Sequence, residues 1–395
     1  MEKFDVIIIG GGAAGMTAAI SARRNGRSAI ICEKLPRLGK KILASGGGRC
    51  NLTNDNLSES HYNRASRNLV KSVFAKFGRV DILSFFKDLG LELYSENGRI
   101  FPVTNQSSSV LKVLEIELKR LSIPIEFNFE AVDISYLNEC FIIKSKAHKQ
   151  ISSAKLILAG GGKTYPALGS DGSCYRFAKR FGHNLVEPVP TAVPLVVKDR
   201  LCHIFQGQKI RSCVKSVIDG EVKSEAEGEL LFAKYGLSGT AILDISDEIS
   251  EALNRHKKSD VFVSIDMMPF MPEEKLRQEL SKRFHAGIPV DDMLVGMLPN
   301  KMAVEFRDLF LRKDIDTAIS ALKHRRFKVD GTRGWNEAEF TNGGIDAREI
   351  LERTLESKLK NGLYFAGEML DVHGKRGGYN LAWAWASGFI AGACL

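Results

Sequence analysis

An α/β fold, with a doubly wound sheet built from both ends of the chain around an insert, is what this 395-residue sequence predicts. Three observations carry that expectation. Apolar runs at 4–9 (FDVIII) and 28–32 (SAIIC) flank a small-residue stretch at 13–25, which reads as the βαβ unit that starts such a sheet. The three prolines of EPVPTAVP (187–194) then end that texture. It returns only at 362–366 (GLYFA) and in the apolar helical stretch 380–392.

Taken in order, the helix over 13–25 is closed by Gly26, and mostly polar helices fill 67–90 and 107–122. Short strands are expected over 124–134 and 140–145, and a buried strand over 155–162 (KLILAGGG). Runs of alternating texture over 195–247 and VFVSIDMMP at 261–269 read as strands. Residues 272–325 read as helical, opening on PEEKLRQELSKRF with Pro in the first turn and acids before bases. Strand texture returns over 326–345. The expected organisation is a discontinuous first domain, 1–190 with 345–395, a β-rich insert of 191–270 with 326–344, and a helical part over 271–325.

Several function classes drop out early. The seven cysteines include no C-x-x-C pair, so neither a zinc ribbon nor a thioredoxin-type dithiol is expected, and the histidines show no metal-ligand spacing. No stretch reaches the roughly 20 apolar residues of a membrane span, and glycines 10–12 interrupt the N-terminal apolar run too early for a signal peptide. A cytoplasmic protein is the expectation. The net charge of +9 leaves room for a polyanionic partner, although the basic residues are dispersed.

GGGAAG at 10–15 is G-x-G-x-x-G through Gly10, Gly12 and Gly15, placed directly after a strand and opening a helix. Gly10 permits the tight turn, Gly12 lets a pyrophosphate reach the amides of the helix N-terminus, and Gly15 lets helix and strand pack closely. Eighteen residues past Gly15 stands Glu33, whose carboxylate can accept both hydroxyls of an adenosine ribose. A dinucleotide is expected here, in a Rossmann-type domain. LAGGG (158–162) and GLYFAGEMLDVHGKRGGYN (362–380) are two further backbone approaches, the second with Gly367, Glu368 and Asp371 after a strand. This arrangement resembles the FAD site of the glutathione-reductase-like fold, where an acidic C-terminal segment holds ribityl and pyrophosphate. In that fold a following helix N-terminus stabilises negative charge on the flavin.

GGGRCNLTN (46–54) occupies the slot of the loop that passes beside the isoalloxazine, and Gly46–Gly48 are read as permitting that approach. Five residues after Cys50 stands Asp55, so no redox dithiol forms there. Cys50 is a packing residue or a proton donor at the flavin edge. His373 is expected to be a solvent-facing loop residue, with an acid role as the alternative.

These motifs, with GRIFPVT (98–104), GGKTYPALGSDG (161–172), LLFAKYGLSGTAIL (230–243) and GTRGWNEAEFTNGGI (331–345), resemble three-domain bacterial flavoproteins of the aminoacetone oxidase, YhiN and BaiN type. The resemblance covers essentially the whole chain. It implies an FAD domain, an inserted β-barrel-like domain and a small helical domain. It also implies an FAD site made of Gly10, Gly12, Ala13, Ala14, Gly15, Glu33, Lys34, Lys41, Gly48, Arg49, Cys50, Asn51, Val132, Gly161, Gly344, Gly367, Glu368, Asp371, Gly378, Tyr379, Asn380 and Leu381. Lys375-Arg376 departs from the cysteine that many members carry before the glycine pair. No metal is implied. The activities implied are reduction of an activated C=C by hydride from flavin N5 with NAD(P)H as transient donor, reduction of uridine in ribosomal RNA, or amine oxidation to peroxide. A non-catalytic flavin module is the competing class. An RNA substrate would call on Arg325, Arg326, Lys328, Lys375 and Arg376.

Overall fold

The computed structural model describes residues 2–312 and 314–395. The strand Glu2–Ile9 lies between Ala29–Cys32 and Gln150–Leu158, parallel to both, with Ile7 opposite Ile30 and Leu156. Val6 to Ile9 are all buried, as expected of a parallel strand covered on both faces. The sheet has seven strands and runs Ile125–Glu126, Ala29–Cys32, Glu2–Ile9, Gln150–Leu158, Cys140–Ser145, Ala131–Leu137. Leu363–Phe365, from the far end of the chain, adds parallel to Gln150–Leu158.

The chain divides into two units, residues 1–188 with 340–395 and residues 189–339. The strand Phe340–Ile345 therefore belongs with the first unit, not with the insert where the sequence reading put 340–344. The expected helix over 67–90 is two, Arg67–Phe74 and Arg79–Asp88. They part at Gly78, where a Cβ would sit 2.6 Å from the Phe74 carbonyl oxygen and where Asp81 caps the new helix from 2.8 Å. The strand expected over 155–162 spans Gln150–Leu158 and stops before the glycines.

The small residues of the helix Ala13–Arg24 answer to the C-terminal helix Tyr379–Ala393. A Cβ on Gly388 would lie 2.2 Å from the Ala14 carbonyl oxygen, and one on Gly392 2.1 Å from that of Ala18. The two backbones meet with no side chain between them. Trp383 and Trp385 are fully enclosed, their indole N–H groups donating to the carbonyls of Gly367 (3.0 Å) and Leu52 (3.2 Å). This helix is hydrophobic all round because it is a core helix. Among the described residues no helix is long and apolar enough to cross a membrane.

The second unit holds a seven-stranded antiparallel sheet centred on the hairpin of Lys209–Ile218 and Glu221–Ala233. The hairpin turns at Asp219-Gly220, both with positive φ, the Asp-Gly pairing that a two-residue hairpin loop prefers. Its strands bury Val214, Leu230 and Phe232 in one cluster with Leu276, Leu280, Met302, Phe310 and Leu322 from the helices of 273–323. Sheet and helices of this unit thus share a single core.

Candidate functional site

Gly10 ends the first strand at φ +107°, and a Cβ there would sit 2.5 Å from the Ala159 carbonyl oxygen. Only glycine turns the chain so tightly against the neighbouring strand. Gly15 is excluded from any larger residue by the Gly10 carbonyl oxygen, 1.8 Å from where its Cβ would be. Gly12 differs. Its φ of −84° is ordinary, and a Cβ on it would meet nothing within 4 Å. It caps the helix Ala13–Arg24, whose first turn has no side-chain cap and no acidic residue. An uncapped helix start that opens into a cavity is a ready anion site.

That cavity is lined by Gly10, Gly12, Glu33, Lys34, Lys41 and Gly161, all anticipated from sequence, and by Gly11, which was not. Arg37, Lys40, Phe129, Leu168, Ser170 and Cys174 also line it and were missed. The cations stand three and one residues from anticipated ones, and the last three lie in or just after a motif already quoted, GGKTYPALGSDG. Glu33 is 8% exposed; it accepts from the Gly11 amide at 2.6 Å and the Leu35 amide at 2.8 Å. Those two bonds hold its carboxylate at the cavity wall while each oxygen retains a lone pair. Across the cavity Lys34 pairs with Asp171 at 2.8 Å, which helps to hold the Asp171 carboxyl below its usual range despite burial.

Lys41 pairs with Glu368 at 2.6 Å and donates to Thr164 at 2.9 Å, while the other Glu368 oxygen accepts from the Thr341 amide at 2.8 Å. Glu368 therefore ties the helix Lys40–Ala44 to the strand Phe340–Ile345 and, through the Gly162 amide at 3.3 Å, to the loop after Gln150–Leu158. Gly161 (φ +77°), Gly344 (φ +146°), Gly367 (φ +68°) and Gly378 (φ +99°) all have positive φ. Asn380 spends its side chain on the loop before it, accepting from the Gly374 amide (2.8 Å) and donating to its carbonyl (2.9 Å). Tyr379 is buried with its ring against His61, and Leu381 packs on the core.

The loop 46–50 holds its glycines in left-handed conformations. Gly46, Gly47, Gly48 and Cys50 all have positive φ, and a Cβ on Gly47 or Gly48 would meet nothing within 4 Å. Cys50 is 0% exposed and does not line the cavity; burial pushes its thiol up to about 12. It packs within the hydrophobic core of the first unit. Arg49 turns away, pairing with Glu96 (2.7 Å) and stacking on Phe101 (4.0 Å). Val132 is exposed on its strand, and its neighbour Ala131 lines the cavity in its place. His373, expected to face solvent, is 7% exposed with Nδ1 3.9 Å from Asp371. In the second unit Arg325 is paired with Asp199 at 3.3 Å and half-buried, which removes it from an open basic face; Arg326 and Lys328 are exposed.

FAD fits these residues on two counts. The Gly12 opening leaves space where a side chain would stand, at a helix start without an acid. Asn51 Oδ1 is buried without a hydrogen-bond partner among the described residues, 2.7 Å from where a Gly378 Cβ would be, at the start of the C-terminal helix. Among the described residues no cluster of His, Cys, Asp and Glu is suited to a metal ion.

Residues 4–394 match the family model described as HI0933-like protein Rossmann domain. The chain belongs to this family. The HI0933-like chain is 36% identical over 400 residues to a 3-dehydro-bile acid delta(4,6)-reductase of Clostridium scindens, covering 98% of this chain and 97% of that one. It is 31% identical over 398 residues to a ribosomal RNA dihydrouridine synthase of Escherichia coli, covering 98% and 96%. Its fold is similar to that of a 3-ketosteroid delta1-dehydrogenase from Sterolibacterium denitrificans, with a TM-score of 0.51, 12% identity and 99% of both chains covered. The chain is a flavoprotein oxidoreductase with an FAD-binding Rossmann-type fold.

Gly12→Ala is expected to leave the melting temperature of the FAD-free protein within about 1 °C while weakening FAD at least tenfold. The added methyl meets no protein atom and intrudes only on the cavity. Thermal melts with and without FAD check it; a lowered apoprotein melt would show that Gly12 is needed for the fold.

Proposed function

We propose that this FAD-dependent oxidoreductase reduces a carbon–carbon double bond conjugated to a carbonyl, with NAD(P)H as transient electron donor. The observation that carries the reading is the near-full-length similarity to the bile-acid reductase. Bound FAD supplies two-electron hydride chemistry. The Gly10–Gly12 turn and the first turn after it would hold the pyrophosphate, Glu33 the adenosine ribose, and the 367–371 segment the ribityl chain. Lys375, just before the start of the C-terminal helix, adds positive charge where a ligand gaining negative charge is favoured. The proton needed to complete the reduction is assigned to water, because the Cys50 thiol is enclosed. We also propose that the second unit contributes the β-barrel-like and helical parts that the family resemblance implies.

The second reading, reduction of uridine in ribosomal RNA, is the same chemistry on a larger substrate. It draws support from the Escherichia coli relative and from the net charge of +9.

Anaerobic stopped-flow absorbance tests these readings. NADH or NADPH is expected to bleach the flavin, and a 3-oxo-Δ4-steroid probe to restore its colour faster than air does. Restoration by a ribosomal RNA transcript but not by the steroid would select the RNA reading, whose affinity should fall steeply with salt. Fast peroxide formation with amines would overturn both in favour of an oxidase. Cys50→Ser is expected to keep FAD and both half-reaction rates within about twofold; a selective loss of the oxidative half-reaction would restore the thiol as proton donor.

A further inference from the structure

Tyr175 opens the short helix Tyr175–Arg180, held to the sheet by Arg176, which donates to the Ala131 carbonyl at 2.8 Å. The Tyr175 side chain is 5% exposed, and its hydroxyl has no hydrogen-bond partner among the described residues. Buried hydroxyls are rarely left so, because desolvation without a bond is costly. Its neighbours are not arbitrary. The adjacent Cys174 lines the cavity, and the carboxylates of Glu368 and Asp371 are among the charges that act on the phenol.

We propose that Tyr175 is a cofactor-positioning residue, its hydroxyl donating a hydrogen bond to the phosphate–ribityl stretch of bound FAD. This rests on the FAD reading of the cavity. Desolvation, with the two carboxylates adding to it, pushes the phenol well above its ordinary range, so it remains a neutral donor throughout the working pH range. A neutral donor suits a position near these two carboxylates. An anionic phenolate beside Glu368 and Asp371 would repel a phosphate, whereas a neutral O–H can bond to its oxygen. No sequence pattern marks Tyr175, since its spacing is that of an apolar residue on a helix packed against the sheet.

The test uses a pair of opposite signs. In Tyr175→Phe the ring stays and only the hydroxyl goes. The FAD dissociation constant, read from flavin fluorescence, is expected to rise about tenfold, the scale of a lost bond to a charged acceptor. The melting temperature of the FAD-free protein is expected to hold or rise by about 2 °C, because a costly group has been removed. Tyr364→Phe is the control. That tyrosine is also buried, but its hydroxyl donates to the Cys394 carbonyl at 3.3 Å. Its loss should lower the melt and leave FAD affinity unchanged. Unchanged FAD affinity in Tyr175→Phe overturns the proposal, whether a buried water or a protein group proves to satisfy the hydroxyl. A wild-type protein without FAD affinity would instead remove the FAD reading itself.

Discussion

Replacing Glu33 by Ala is expected to weaken FAD by at least a hundredfold and to yield protein purified largely colourless. Two hydrogen bonds from ribose hydroxyls to a charged acceptor go, each contributing about 1.5–3 kcal/mol. The structure adds a second loss. The carboxylate also accepts from the amides of Gly11 and Leu35, so Ala leaves two backbone donors of the cavity wall without their partner. Glu33→Gln separates the contributions. Its amide oxygen accepts only part of that set, and an intermediate affinity is expected. Equilibrium dialysis against FAD, with a melt of each apoprotein, measures both. Full FAD occupancy in Glu33→Ala after dialysis would remove Glu33 from the ribose role.

A methyl group at position 388 is expected to cost the FAD-binding unit about 1–3 kcal/mol, the usual scale of overpacking. In Gly388→Ala the new Cβ would lie 2.2 Å from a backbone oxygen of Ala14, which cannot rotate away as a side chain would. The helix Ala13–Arg24 must then move from the C-terminal helix. Because its N-terminus forms the cavity wall, FAD affinity should fall together with the melting temperature. That joint loss distinguishes the variant from Gly12→Ala, where affinity alone is expected to fall. Chemical denaturation followed by tryptophan fluorescence reads the effect, since Trp383 and Trp385 lie on the same helix. A Gly388→Ala protein of unchanged midpoint would mean that the two helices have slack between them.

Much of the site was legible because its demands are local. A turn after a strand needs glycine at Gly10, a helix start open to an anion shows as Gly12 without an acid beside it, and Glu33, the proposed ribose acceptor, stands just past the end of the next strand. These relations span at most two dozen residues, and each depends on backbone geometry that residue types reveal. The loop 46–50 shows how far that goes. Its glycines announced an unusual backbone, and four of its five residues lie at positive φ.

The sequence by itself determined the βαβ start, the return of the C-terminal segment to the same domain, and the glycine positions that no larger residue could fill. Only tertiary structure decided how the polar side chains are spent. Arg49, Asn380 and Arg325 looked free for a ligand or a partner. Glu96 and Phe101, the Gly374 backbone and Asp199 respectively engage them, from six to more than a hundred residues away. His373 and Cys50 likewise looked available and are enclosed. The same distance in sequence hid Tyr175, whose hydroxyl becomes notable only once burial shows that it has no partner among the described residues. Residue type states what a group can bond to; whether that capacity is already used depends on neighbours that only folding supplies.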